Sequence, residues 1–167
     1  MNIGSRNGGA AGRLSNFTPR PFTFDGVECA SMEGLLQSFK FDKPHIQEEI
    51  CKLTGLAAKK RGQKRNYAWK SQQCLWWKGK KIPRKSDEYQ KLLDDAYNAI
   101  SKNRKFAKDL LSTGDAVLCH SIGRSKPKDT VLTEREFCSR LMKVRDRLQK
   151  EFKDLAKNVK DFLVDNL

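Results

Sequence analysis

The sequence predicts a single, mainly helical domain with a few short strands, an α+β fold that ends in a long C-terminal helix. Apolar residues recur at spacings of three and four in several segments, which is typical of helices with one buried face. Two short runs of β-forming residues flank turn signals. The length of 167 residues suits one domain with a modest core.

The composition indicates a soluble and strongly basic protein. Hydrophobic residues make up 38% and charged residues 32% of the chain, and no apolar run approaches the length of a bilayer span. The net charge is +14. Such an excess is common in proteins that act on polyanions, because Lys and Arg displace condensed counterions from phosphates.

Five scattered cysteines form no C-x-x-C pair. An odd count without a signal-peptide core predicts reduced thiols in a cytosol-like compartment. The pattern indicates neither a zinc site nor a disulfide framework, so we expect no metal and no cofactor.

The first segments are a leader and a hairpin. Residues 1–12 are rich in Gly, Ser and Asn, which predicts a flexible leader. Asp25-Gly26 is a strong turn signal between the short strand candidates Phe22–Phe24 and Val27–Cys29.

A helix follows from Ser31 to about Phe41. Apolar residues recur along it at helical spacing, and Ser31 is well placed as its N-cap. Glu33, Gln37 and Lys40 form a polar stripe beside the apolar one, so a ligand along the stripe would meet a carboxylate and an amine. The alternative is that this stripe is the solvated face of a surface helix.

Two short helices are predicted at 45–53 and 57–61. Residues 59–85 then contain two basic runs with aromatic residues between them. This pattern suits nucleic acid, with phosphates held by charge and bases by stacking. The alternative is that the tryptophans are core residues and the lysines are solvated. Residues 76–79 are a candidate strand and turn.

The C-terminal half predicts helices from residue 86, from residue 104 and from Thr133. Thr133 and Glu136 form a capping box, and apolar residues continue at helical spacing to about residue 164. We therefore expect a domain over residues 13–148 and a helical extension over 149–167. The extension would pack on the domain or on a second subunit, which makes an oligomer possible.

Three blocks of residues resemble the NADAR (YbiA-like) family over residues 13–148. They are Leu14-Ser15-Asn16-Phe17 with Pro21-Phe22 and Asp25-Gly26, then Ser31-x-Glu33 with Gln37-x-x-Lys40-Phe41, and Leu141-Met142-x-Val144-Arg145. Two departures stand out: Gly34 replaces a histidine of the family, and the family's Trp-Gly-Gly segment is absent. These features resemble a phage-associated branch, for which the host cytoplasm is the expected location.

The resemblance implies an N-glycosidase that cleaves a bond between ribose C1 and a nitrogen. The substrates implied are ADP-ribose on guanine bases of nucleic acid, a mark left by toxins, or phosphorylated riboflavin-pathway intermediates. The net charge favours the nucleic-acid substrate over the small metabolite. We expect DNA rather than RNA, and the resemblance implies a counter-toxin role. A non-catalytic, basic nucleic-acid-binding protein is the alternative from another class.

The expected catalytic pair is Glu33 and Lys40. A carboxylate would stabilise positive charge at C1, and an amine with a lowered pKa would attack C1 and form a Schiff base. The remaining candidates are residues for substrate binding through amide, ring, hydroxyl or guanidinium groups: Asn16, Phe17, Gln37, Trp77, Arg84, Ser86, His120, Thr130 and Thr133.

Overall fold

A fully buried helix, α2 (Met32–Ser38), lies at the centre of the structure, a computed structural model that describes residues 1–167. Ser31 caps it as predicted, because its hydroxyl accepts a hydrogen bond from the backbone N–H of Gly34. All seven helical residues are buried. The alternative of a solvated surface helix is therefore wrong.

The segments before α2 are a short helix, α1 (Gly9–Arg13), and a hairpin of β1 (Phe22–Phe24) and β2 (Val27–Cys29). The two strands are antiparallel, with Phe22 opposite Cys29. Asp25 and Gly26 both have positive φ angles, which a tight two-residue hairpin turn requires. The predicted hairpin is confirmed.

Three short helices follow α2, namely α3 (Pro44–Cys51), α4 (Gly55–Gln63) and α5 (Asn66–Gln72). A second antiparallel hairpin pairs β3 (Cys74–Trp77) with β4 (Lys80–Pro83). The strand and turn at residues 76–79 are thus confirmed. The sequence did not indicate α5 as a separate helix, because its apolar residues are too few to show a period.

The C-terminal half consists of α6 (Asp87–Ile100), α7 (Arg104–Leu111), a 3₁₀ turn at Pro127–Asp129 and the long α8 (Glu134–Asp165). Thr133 and Glu136 form the predicted capping box. One core of 29 buried residues connects both halves of the chain. The mainly helical fold class is confirmed.

The prediction of a flexible leader over residues 1–12 does not hold. Ile3 is fully buried, and its N–H donates to the carbonyl of Cys119 at 2.8 Å. The N–H of Cys119 donates in turn to the carbonyl of Met1 at 2.9 Å. The Gly, Ser and Asn content did not indicate this pairing, because residues 1–12 are held in place by a distant segment of the chain and by one buried side chain.

The end of α8 extends away from the core. Every residue from 150 to 167 is exposed, and the apolar stripe of this segment is between 52% and 67% exposed, at Phe152, Leu155, Val159 and Phe162. Packing of this segment on its own domain is not observed. Even the 32-residue α8 is too rich in charged residues to span a membrane, and no other helix qualifies.

Truncation after Gln149 should leave the fold intact, because it removes no core residue. We expect a melting temperature within about 4 °C of the full chain, measured by circular dichroism. A fall of more than about 10 °C would contradict the exposed position of the helix end. Sedimentation of both forms tests self-association through the stripe, which the truncation would abolish.

Candidate active site

One large cavity brings together eight of the eleven candidate site residues. Its volume is about 830 Å³, and its walls come from α2, α4, α5, the N-terminal segment and residues 120–137. This volume suits a ligand of dinucleotide size. The candidates that line it are Asn16, Phe17, Glu33, Gln37, Lys40, His120, Thr130 and Thr133.

Lys40 is a buried amine with a neutral partner. Its Nζ donates a hydrogen bond of 2.8 Å to Oδ1 of Asn66 and makes no ion pair. Burial lowers the pKa of Lys40 to about 8, with Glu33 acting in the opposite direction and the nearby Lys70 and Lys59 lowering it further. With a pKa of about 8, roughly a tenth of Lys40 is the uncharged amine at pH 7, which is the form that acts as a nucleophile.

Glu33 is the buried acid of the same wall. Its Oε1 accepts a hydrogen bond of 2.8 Å from Nε2 of Gln37. Burial raises the pKa of Glu33, although the Gln37 bond and the charges of Lys40 and Lys59 oppose this shift. Burial thus moves the acid and the amine towards their neutral forms, which are the forms that donate a proton and attack a carbon.

Two glycines allow the helices to close around this wall. A Cβ atom on Gly62 would lie 1.8 Å from Oε1 of Gln37, so a larger residue in α4 at this position would displace the Gln37 side chain. A Cβ atom on Gly34 would lie 2.6 Å from the carbonyl oxygen of Leu53. A side chain at residue 34 would therefore displace the backbone of the segment packed against α2.

Asn16 and Phe17 form the wall next to α2. The carbonyl oxygen of Asn16 accepts from the N–H of Glu33 at 3.0 Å, and its Oδ1 accepts from the hydroxyl of Tyr97 at 3.0 Å. The amide nitrogen of Asn16 is therefore the group left to donate to a ligand. Nζ of Lys59 lies 5.8 Å from the centre of the Phe17 ring.

His120 lines the cavity from the side of the N-terminal segment. Its Nδ1 lies 2.7 Å from the carbonyl oxygen of Ile3, so Nδ1 carries the proton and donates. The imidazole packs edge-on against Phe137, with the ring centres 5.4 Å apart. Nε2 is thus the nitrogen available to a ligand.

Thr130 and Thr133 line the cavity, but their hydroxyls are already bonded. Thr130 Oγ1 bonds to the backbone of Leu132, and Thr133 Oγ1 accepts from the N–H of Glu136 at 3.1 Å. The N–H of Glu134 donates to the carbonyl of Arg124 at 2.9 Å. The start of α8 therefore offers few free donors for a pyrophosphate.

Three candidates lie outside the cavity lining and have structural contacts instead. Nε1 of Trp77 donates to Asp25 at 2.9 Å, and its ring packs in the core. Arg84 is fully buried and forms a two-pronged ion pair with Glu136. The hydroxyl of Ser86 caps α6. The expectation that Trp77, Arg84 and Ser86 contact substrate is not supported, because their polar groups are occupied within the fold.

The cavity also contains residues that the sequence did not indicate. Asn66 holds the Lys40 amine, and the buried Trp69 donates to the same Asn66 oxygen at 3.3 Å. Arg6 and Arg124 line the side that contains His120. No motif marks these positions, since they come from an unpredicted helix, an apparent leader and a loop. No group of three His, Cys, Asp or Glu side chains is placed to hold a metal ion.

The family model described as "Bacteriophage protein GP30.3" matches residues 8–146. The chain belongs to this family. An uncharacterized 17.1 kDa protein from the Gp30-rIII intergenic region of Enterobacteria phage T4 is 38% identical over 138 residues, which is 81% of this chain and 90% of the relative. The predicted phage-associated branch is therefore confirmed.

The fold of this GP30.3-family protein is similar to that of E. coli YbiA. The NMR structure of YbiA matches with a TM-score of 0.59 and 18% identity, covering 90% of this chain and 85% of YbiA. The YbiA-like fold predicted from the sequence is thus confirmed. The GP30.3 family match ends at residue 146, so the exposed end of α8 lies beyond it.

The pKa of Lys40 can be measured directly in the folded protein. We expect its ¹³C-methylated amine to titrate at about 8 by NMR, because burial penalises the ammonium form. Lys40→Arg should remove this resonance, which assigns it. Glu33→Gln should lower the midpoint, because the Glu33 charge raises the pKa of Lys40. A midpoint of Lys40 near its ordinary value of 10.5 would contradict the desolvated site.

Proposed function

We propose that this protein is an N-glycosidase that removes ADP-ribose from guanine bases of nucleic acid, and that this removal counters a toxin. The proposal rests on one observation. A buried amine, Lys40, and a buried carboxyl, Glu33, lie on one wall of a cavity of about 830 Å³. The resemblance to the NADAR family supports the reaction class.

In the proposed reaction, Lys40 attacks the anomeric carbon. The lone pair of the neutral Nζ forms a bond to C1 of the ribose, and the C1–N bond to guanine breaks. The electron pair of that bond leaves with the guanine nitrogen, which takes a proton from the neutral carboxyl of Glu33. Nζ now carries two protons, and one of them passes to the ring oxygen as the bond between C1 and that oxygen breaks, which gives a protonated imine and an open sugar.

Water completes the cycle. The carboxylate of Glu33 takes a proton from water as the water oxygen adds to C1. The C1–Nζ bond breaks, the sugar closes to free ADP-ribose, and Lys40 returns to the neutral amine. The net change is the addition of one water across the C1–N bond, with no cofactor.

Four further cations suit the two phosphates of ADP-ribose. Arg6, Lys59, Lys70 and Arg124 line the cavity, and none of them forms an ion pair within the protein. Guanidinium and ammonium groups without acidic partners are typical phosphate ligands. We assign the pyrophosphate to this set rather than to the start of α8.

The distribution of charge favours a polymer over a small metabolite. Residues 50–86 contain twelve of the 34 Lys and Arg residues and no Asp or Glu. Most of these cations lie outside the cavity, where a riboflavin-pathway intermediate would not reach them. A strand of DNA would contact cavity and outer surface together. A non-catalytic binder would use the same outer surface, so turnover separates these two functions.

Borohydride should trap the covalent intermediate on Lys40. An imine is reduced to a stable amine, so incubation with ADP-ribosylated guanosine and borohydride should leave a sugar adduct that peptide mass spectrometry places on Lys40. The reason is that Lys40 is the buried amine whose pKa of about 8 allows a neutral fraction at neutral pH.

Two variants control this experiment. Lys40→Arg keeps the positive charge but lacks the nucleophile, so it should lose the adduct and nearly all turnover. Glu33→Gln should slow turnover by about 10²-fold or more, because the amide neither donates nor accepts the proton. Wild-type turnover in Lys40→Arg would rule out the covalent mechanism.

A further inference from the structure

The cations of residues 50–86, the acid-free segment, include two contrasting groups. On the β3–β4 hairpin, Lys78 pairs with Asp25 at 3.4 Å and Lys80 with Glu88 at 2.5 Å, while Lys81 Nζ donates to Gln72 at 2.9 Å. On α4 and α5 and in the link between them, by contrast, four lysines have no acidic partner. They are Lys59, Lys60, Lys64 and Lys70.

Two neighbouring rows of side chains run along α4 to its C-cap, Lys64. Lys59 and Gln63 are four residues apart and line the cavity, whereas Lys60 and Lys64 are also four apart and are exposed beside them. A phosphate backbone that lies along Lys60 and Lys64 would therefore run next to the cavity edge.

Tyr67 follows Lys64 by three residues and lies in the first turn of α5. It is 87% exposed, and it is the one exposed aromatic residue outside the end of α8. Its neighbour Asn66 holds the Lys40 amine, and Lys70 lines the cavity on the same helix. An aromatic ring that contacts little of its own protein at such a position offers a free face for stacking.

We propose that Lys60, Lys64 and Tyr67 form a docking surface for a single-stranded nucleic acid, with Tyr67 stacking on the base next to the modified guanine. The inference rests on the proposed function, since it names how the strand reaches the site. A single strand fits because only an unpaired base exposes a face to the ring. The lysines contact the phosphates on either side.

Binding of an unmodified single strand tests this surface without any turnover. The probe is a fluorescent DNA of about 12 nucleotides, followed by anisotropy over a range of salt concentrations. Tyr67→Ala should weaken binding by about 5- to 100-fold, the usual range for the loss of one stacked base. Lys60→Gln with Lys64→Gln should reduce the salt slope by about 1.4, since each phosphate contact on a single strand contributes about 0.7.

A matched control lies in the same acid-free segment. Lys80→Gln with Lys81→Gln removes the same charge from the hairpin, where both lysines already have partners. We expect this pair to leave the affinity and the slope nearly as in the wild type. An equal loss in the control pair would show diffuse attraction and overturn the proposal, as would unchanged binding by Tyr67→Ala.

A comparison of two substrates separates this proposal from the proposed function. The quantity to compare is kcat/KM for an ADP-ribosylated oligonucleotide divided by kcat/KM for ADP-ribosylated guanosine. Tyr67→Ala should lower this ratio by about 5- to 100-fold, the effect expected for the loss of one stacked base. If neither substrate is cleaved but strand binding responds as expected, the glycosidase function is wrong and the surface stands. If both are cleaved with an unchanged ratio, the surface is wrong and the function stands.

Discussion

The burial of α2 between α3 and α4 determines where the other elements lie and how the candidate site is built. Gly34 lets the backbone of residues 50–53 approach to a distance that a side chain would prevent, and Gly62 leaves room for the side chain of Gln37. The helix then carries Glu33 into a dry environment, and Lys40 follows directly after its end. Charged groups in such a place cost several kcal/mol each, so both groups shift towards their neutral forms. The geometry of packing thereby sets the chemistry of the pair.

The same burial links stability to pH. The pKa of Lys40 lies near 8 in the folded protein, below its ordinary value of 10.5. The folded state therefore binds fewer protons than the unfolded state between these values, and stability rises with pH across this window. Below pH 8 the cost of burying the ammonium form is complete. Such a cost is common where a fold holds a group in the state that its reaction needs.

The sequence predicted the parts of the site that lie close together in the chain. The spacing of Glu33, Gln37 and Lys40, the hairpin around Asp25 and the capping box at Thr133 all follow local rules of period, turn and cap, and the structure has them. The wall made by Ile3 and His120 was not predictable, because its partners are 117 residues apart. The contacts of Trp77 and Arg84 were not predictable for the same reason. Their side-chain types suit a ligand, but their polar groups bond to Asp25 and Glu136 in distant segments of the chain.

A crystal structure of the Glu33→Gln variant with bound ADP-ribosylated guanosine would show whether Lys40 is placed as the nucleophile. We expect ribose C1 to lie about 3 to 3.5 Å from Nζ of Lys40, the distance at which an amine attacks. We also expect the pyrophosphate to contact the unpaired cations of the cavity, among them Arg6 and Arg124. A phosphate bound to Lys40, with C1 out of its reach, would contradict the account and make Lys40 a binding charge.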